Sequence, residues 1–175
     1  TYSPAEESFY ELMSSFIMAG KAYASSLGKV EGGQVMLVLI ALQKLASSSV
    51  AAVLSALDTR RGRLVSLAAK TRAELESQTD DPAADEGARV FEEWLRDEKR
   101  SRIQLMEDEG RHLDDLLASG RAVLSETRVV RVMEVISNRF ADQPVLLFTE
   151  YKRTQALVVA ALMERFGRES VGFMN

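Results

Sequence analysis

Apolar residues recur at helical spacing along most of this chain and close up into a continuous run only once, near its end. Phe9, Leu12, Met13, Phe16 and Ile17 form one stripe, continued by Gly20 and Tyr23, and that spacing predicts an amphipathic helix. Ser3-Pro4-Ala5-Glu6-Glu7 supplies its start: a hydroxyl that can cap, a proline suited to the first helical position, and two acids at the positive end of the helix dipole. The stripe ends near Leu27-Gly28, and Glu31-Gly32-Gly33 reads as a break. Val35, Met36, Leu39, Ile40, Leu42 and Leu45 follow as a second helix, apolar nearly all round and therefore expected to be central and buried.

Ser47-Ser48-Ser49 interrupts that pattern and can cap a third helix. Val50, Val53, Leu54, Leu57, Leu64, Leu67 and Ala68 carry it to about Ser77, with a kink allowed at Gly62. Residues 79–84 are small and acidic and read as a loop. From Asp85 to about Ser119 a long helix is expected, with Val90, Phe91, Trp94, Leu95, Ile103, Leu105, Met106, Leu113, Leu116 and Leu117 as its apolar face and Gly120 as its end. Ser125-Glu126-Thr127 starts another helix, whose β-branched residues Val129, Val130, Val132, Val135 and Ile136 suggest tight burial.

The periodicity then changes. Pro144 opens a short apolar run, Val145-Leu146-Leu147-Phe148, closed by Thr149-Glu150-Tyr151. A continuous run of this length predicts a strand buried on both faces. Residues 152–166 return to helical spacing, and residues 170–174 read as a second strand. The predicted class is mostly α: a helical bundle or long helical hairpin, followed by a partial βαβ unit. One such unit cannot cover its own sheet, so the chain reads as a piece of a longer protein.

Composition narrows the chemistry. The chain has 175 residues, no cysteine and one histidine. With no cysteine, disulfides, thiolate metal sites and Cys-His catalysis are excluded, and one histidine leaves paired-histidine metal centres without enough ligands. Glu109-Gly110-Arg111-His112 has the spacing of a carboxylate di-iron motif, but such bundles need two copies. There is no G-x-x-x-x-G-K-[ST] and no G-x-G-x-x-G, and Asp97-Glu98 sits mid-helix, where it reads as solvated surface. No catalytic residue, metal ligand or cofactor site is assigned. No run approaches a membrane span, and no secretory leader opens the chain, so a cytoplasmic protein with no membrane partner is expected.

The net charge of −4 hides an asymmetry. Residues 76–116 hold fourteen acidic and six basic residues, while the rest of the chain is net basic. The acidic part is unsuited to a phosphate backbone. Two basic clusters remain as candidates for nucleic-acid contact: Arg60, Arg61 and Arg63, and Lys152-Arg153 just after the first strand, at the edge where open α/β sheets place their ligands.

These pieces, in this order, are familiar. VLLFTEYKRTQALVVAALMERFG resembles the motif that opens the second RecA-like lobe of superfamily 2 helicase-like ATPases, especially the Swi/Snf-type translocases. SGRAVLSETRVVRVMEVI resembles the segment that enters that lobe, with Arg128 where lysine is usual. TYSPAEESFYELM resembles the piece leaving the first lobe, and LQKLASSSVAAVLSALDTRRGRL is similar to a helical segment of bacterial members related to the RNA-polymerase-associated ATPase. Residues 78–119 are covered only loosely. The resemblance implies a fragment of an ATP-dependent nucleic-acid translocase or helicase, with residues 1–124 as a helical inter-lobe region and 125–175 as the incomplete start of the second motor lobe. It implies DNA or RNA as the track, and a protein partner for the acidic helices. It also implies that Thr149, Tyr151, Lys152 and Arg153 contact phosphates. ATP and magnesium would bind the parent protein through residues outside this chain, which by itself would hydrolyse nothing. The alternative is a stand-alone helical protein–protein interaction module.

Overall fold

The computed structural model describes residues 1–27, 29–77 and 86–174; the loop expected at 79–84 lies outside them. Among the described residues there are six α-helices, one 3-10 turn and no strand. The helices are α1 (Pro4–Ser26), α2 (Lys29–Ser48), α3 (Val50–Glu76), α4 (Glu86–Arg121), α5 (Thr127–Arg139) and α6 (Lys152–Phe166), and the turn is Arg168–Ser170. They divide into two compact units. The first holds residues Thr1–Ala56 and Leu116–Asn175, and the second holds Leu57–Asp115.

In the first unit α1 starts as its sequence dictates. The Ser3 side chain accepts from the Glu6 amide at 3.3 Å, the Ser3 amide donates to the Glu6 carboxylate at 2.9 Å, and Pro4 is the first helical residue. The stripe Phe9, Met13 and Ile17 is buried. It meets α2, which buries Leu39 and Leu42 on the facing side.

Gly32 and Gly33 do not break the chain; α2 runs through both, and the interruption falls at Leu27, which caps α1. The reason is close approach. A Cβ on Gly32 would lie 2.5 Å from the Ala24 carbonyl oxygen, and one on Gly20 would lie 2.8 Å from a Leu39 methyl. Here glycine lets two helices touch rather than ending one. Nor is α2 a central helix: Leu37 is 69% exposed, and Val30, Val38 and Ile40 are exposed with it. Only the side of α2 toward α1 is covered among the described residues.

The remaining core of this unit comes from Val50, Ala52 and Val53 at the start of α3 and Leu116 and Leu117 near the end of α4. Gly120, expected to stop α4, is its penultimate residue. It is small because a Cβ there would fall 2.6 Å from a Leu54 methyl and 3.0 Å from the Phe9 ring. Helix α5 packs one side only and buries no residue completely, so its β-branched positions mark a half-covered face and not tight burial. Helix α6 occupies the predicted span.

The predicted βαβ unit does not form among the described residues. Residues 144–149 and 171–174 carry no strand pairing on either side of α6. Val171 has strand-like angles, φ −124° and ψ 117°, but there is no ladder beside it. Val145, Leu146, Leu147 and Phe148 are all exposed, Phe148 at 88%. A strand is held by hydrogen bonds to a neighbouring strand and by burial of its faces, and this run has neither.

The second unit pairs the rest of α3 with α4. Leu57, Leu64, Ala68 and Thr71 on α3 and Ile103 and Leu113 on α4 are buried. Gly62 introduces no helix boundary, since α3 is continuous from Val50 to Glu76.

Candidate functional site

The candidate residues after the apolar run gather at the N-terminus of α6. Tyr151 is the cap residue and makes no side-chain capping bond; its amide donates to the Thr149 hydroxyl at 3.4 Å. Lys152 opens the helix with its side chain in solvent. The next residue, Arg153, turns the other way along the surface, and its Nε donates to the Ser55 hydroxyl at 3.2 Å. Thr154, which the sequence did not single out, is the anchor. It is buried, and its hydroxyl lies 2.8 Å from both the Ser48 and Ser49 hydroxyls. Ser49 also accepts from the Ala52 amide at 3.1 Å, so the predicted serine cap of α3 is in place and is tied to the first turn of α6. The Gln155 side-chain amide nitrogen donates to the Met174 carbonyl at 2.9 Å, tying the segment 171–174 to the same end of α6.

Around this end of the helix, Thr149, Tyr151, Lys152 and Arg153 therefore occupy one turn, with one ammonium free in solvent and one guanidinium engaged by a neutral hydroxyl. A neutral hydroxyl leaves the guanidinium charge uncompensated. The first amides of α6 receive no side-chain cap. That combination of donors and positive charge suits an anionic oxygen. Among the described residues no group of three His, Cys, Asp or Glu is placed to hold a metal ion.

The other basic cluster belongs to the second unit and is differently used. Arg60 grips Glu109 through Nε at 2.6 Å and a terminal nitrogen at 3.0 Å, and Arg61 grips Asp114 at 2.7 and 2.8 Å. Arg72 pairs with Glu107. In this arrangement both guanidinium groups are engaged by carboxylates of α4. Arg63 is exposed and lines a shallow depression of ≈ 600 Å³ on the outer face of α3 with Thr59, Gly62, Ser66, Leu67 and Lys70.

Several polar residues of the first unit escaped the sequence reading. Glu6 is 1% exposed and accepts from the Thr127 amide at 2.9 Å and from the Thr127 hydroxyl, as well as from Ser3, so one carboxylate serves the N-termini of α1 and α5. Burial alone would raise its pKa, but the bonds from Thr127 and Ser3 outweigh that and hold it below the ordinary glutamate value. Glu126 accepts from the Ala51 amide at 3.1 Å and so serves α3. Arg128 donates to the Ala46 and Ser47 carbonyls at the end of α2 and to the Tyr2 hydroxyl, beneath the faces of Tyr2 and Tyr10. Burial pushes the Tyr10 phenol up to about 12, against the opposing pull of Arg128. The sequence placed Glu6 in the first turn of α1 as an acid favoured by the helix dipole; its partner Thr127, 121 residues away, had no local signal.

Comparison of the chain with family models, with curated proteins and with solved structures finds no match in any of the three.

Proposed function

We propose that this chain works as part of an ATP-dependent nucleic-acid translocase, residues 1–124 forming a helical region between motor lobes and residues 125–175 opening the second lobe. The observation that carries the reading is the uncovered apolar run Val145–Phe148. Four consecutive apolar residues, outside any helix and exposed, are costly in water, yet they are the pattern of a strand buried on both faces. The βαβ geometry is then completed when sheet neighbours from outside these residues pair with 145–148 and 171–174. In that setting the turn carrying Thr149, Tyr151, Lys152 and Arg153 lies at the strand's carboxyl end and contacts the nucleic-acid backbone. ATP and magnesium bind elsewhere in the assembled motor, since this chain has no phosphate loop.

The test is a salt-dependent titration of a fluorescently labelled oligonucleotide. Replacing Lys152 and Arg153 with alanine is expected to weaken binding and to lower the slope of log K against log salt by about 2, one unit per cation. An unchanged slope would remove the proposed interface. ATP turnover by this chain alone would contradict the reading as a whole.

A second reading, a helical protein–protein interaction module, is favoured by the uncovered apolar face of α2. It expects no oligonucleotide binding at all, which separates the two.

A further inference from the structure

Three interhelical ion pairs among the described residues of the second unit share a polarity: Arg60, Arg61 and Arg72 are on α3, and Glu109, Asp114 and Glu107 are on α4. They flank a seam with heptad spacing. On α3 the buried residues Leu57, Leu64 and Thr71 fall seven apart, with Ala68 between the last two. On α4 the positions Ile103, Met106, Gly110 and Leu113 alternate steps of three and four, and only Met106 is not fully buried. Such a repeat has an inherent ambiguity, because sliding one helix by a heptad presents a similar stripe.

The sequence of α4 settles it. Sliding α4 by seven residues in one direction replaces Glu109, Asp114 and Glu107 by Arg102, Glu107 and Arg100. Two of the three arginines of α3 then face arginine. Sliding it the other way brings Leu116, Arg121 and Asp114, so that Arg60 loses its partner and Arg61 faces arginine. Gly110 adds a steric condition. The Arg61 guanidinium crosses directly over it on the way to Asp114, 3.3 Å from where a Cβ would stand. In the two slipped arrangements the residue under Arg61 is Ile103 or Leu117, and neither leaves that passage open. Burial alone would tolerate the second slip, which would keep Leu113 in the seam and bring Leu117 to the place of Gly110; charge and the glycine do not.

We propose that Arg60, Arg61 and Arg72, with Glu107, Glu109, Gly110 and Asp114, form a register lock on the α3–α4 pair. It holds the two antiparallel helices at one axial alignment, so that a push or pull along one is passed to the other and not absorbed by sliding. The inference does not depend on the proposed function. It gives the paired arginines a task that phosphate binding does not.

The chain's lack of cysteine makes the test clean. Spin labels are placed on Ser66→Cys and Ser101→Cys, one on each helix and both exposed, and the interlabel distance is measured by pulsed electron resonance. The parent protein is expected to give one narrow distance. The reversal Arg60→Glu, Arg61→Glu and Arg72→Glu is expected to add a second population, displaced along the helix axis by about 10 Å, the rise of one heptad. Adding Glu107→Arg, Glu109→Arg and Asp114→Arg restores pairing with opposite polarity and is expected to recover the single distance. An unchanged distribution in the reversal variant overturns the lock, as does an altered one that the six-fold swap fails to restore. Where the reversal variant loses its helical circular dichroism, the swap variant decides alone: recovery of the native distance supports the lock, and failure to recover it overturns it.

Discussion

At the scale of single residues, neighbouring glycines with identical sequence signals have opposite meanings. A methyl on Gly32 would strike the Ala24 carbonyl, whereas one on Gly33 meets nothing within 4 Å. Gly32→Ala is therefore expected to destabilise by about 1–3 kcal/mol through overpacking, and Gly33→Ala to stabilise by up to about 1 kcal/mol through helix propensity. Urea denaturation of the two variants checks the pair of signs. Glu6 is the second residue-scale case. Its carboxylate is buried and its pKa is held below the ordinary value, so its contribution is fully present above roughly pH 4.3, the unfolded value, and is lost as pH falls below that. Glu6→Ala should cost about 3 kcal/mol at neutral pH, since it orphans amides at the starts of two helices. It should also flatten the acid side of a plot of Tm against pH. Tyr10 has the opposite sign. Its phenol titrates higher folded than unfolded, so the native state loses that stabilisation as pH rises from about 10 toward about 12, which an ultraviolet titration would follow.

At the scale of elements, α2 shows how periodicity and burial separate. Leu37 and Leu39 are two residues apart on an almost uniformly apolar helix, yet one is 69% exposed and the other is in the core. Leu39→Ala should destabilise by about 2–4 kcal/mol, and Leu37→Gln should stay within about 0.5 kcal/mol. Thermal melts of the two distinguish them. The helices themselves were legible. The cap at Ser3, the serine cap of α3, and the spans of α1, α3 and α6 follow from hydroxyls, proline and apolar spacing acting within a turn or two. The glycines were misread because glycine has two physical uses, and only the neighbouring helix says which applies. Arg60 and Arg61 gave no local sign of their partners for the same kind of reason: a basic cluster looks alike whether it faces solvent or carboxylates 49 and 53 positions further on.

At the scale of the whole molecule, the described residues form a helical protein with uncovered apolar segments beside α6. Leu146, Phe148, Phe173 and Met174 are all exposed, and extended apolar segments without pairing partners seek them. Concentration-dependent self-association is the expected consequence, and Phe148→Lys should shift sedimentation velocity profiles toward the monomer without loss of helical signal. No helix among the described residues is long and apolar enough to cross a membrane.

What the sequence determined by itself was the helical class, where most helices begin, and a change of pattern at residues 145–148, because propensity, capping and periodicity are local properties of a chain. What the tertiary structure alone decided was which face of each helix is covered, which charges are neutralised, and whether an apolar run becomes a strand. Those outcomes depend on partners brought close from far along the chain. An arginine's or a leucine's free energy is set by what stands opposite it, and no local pattern records that.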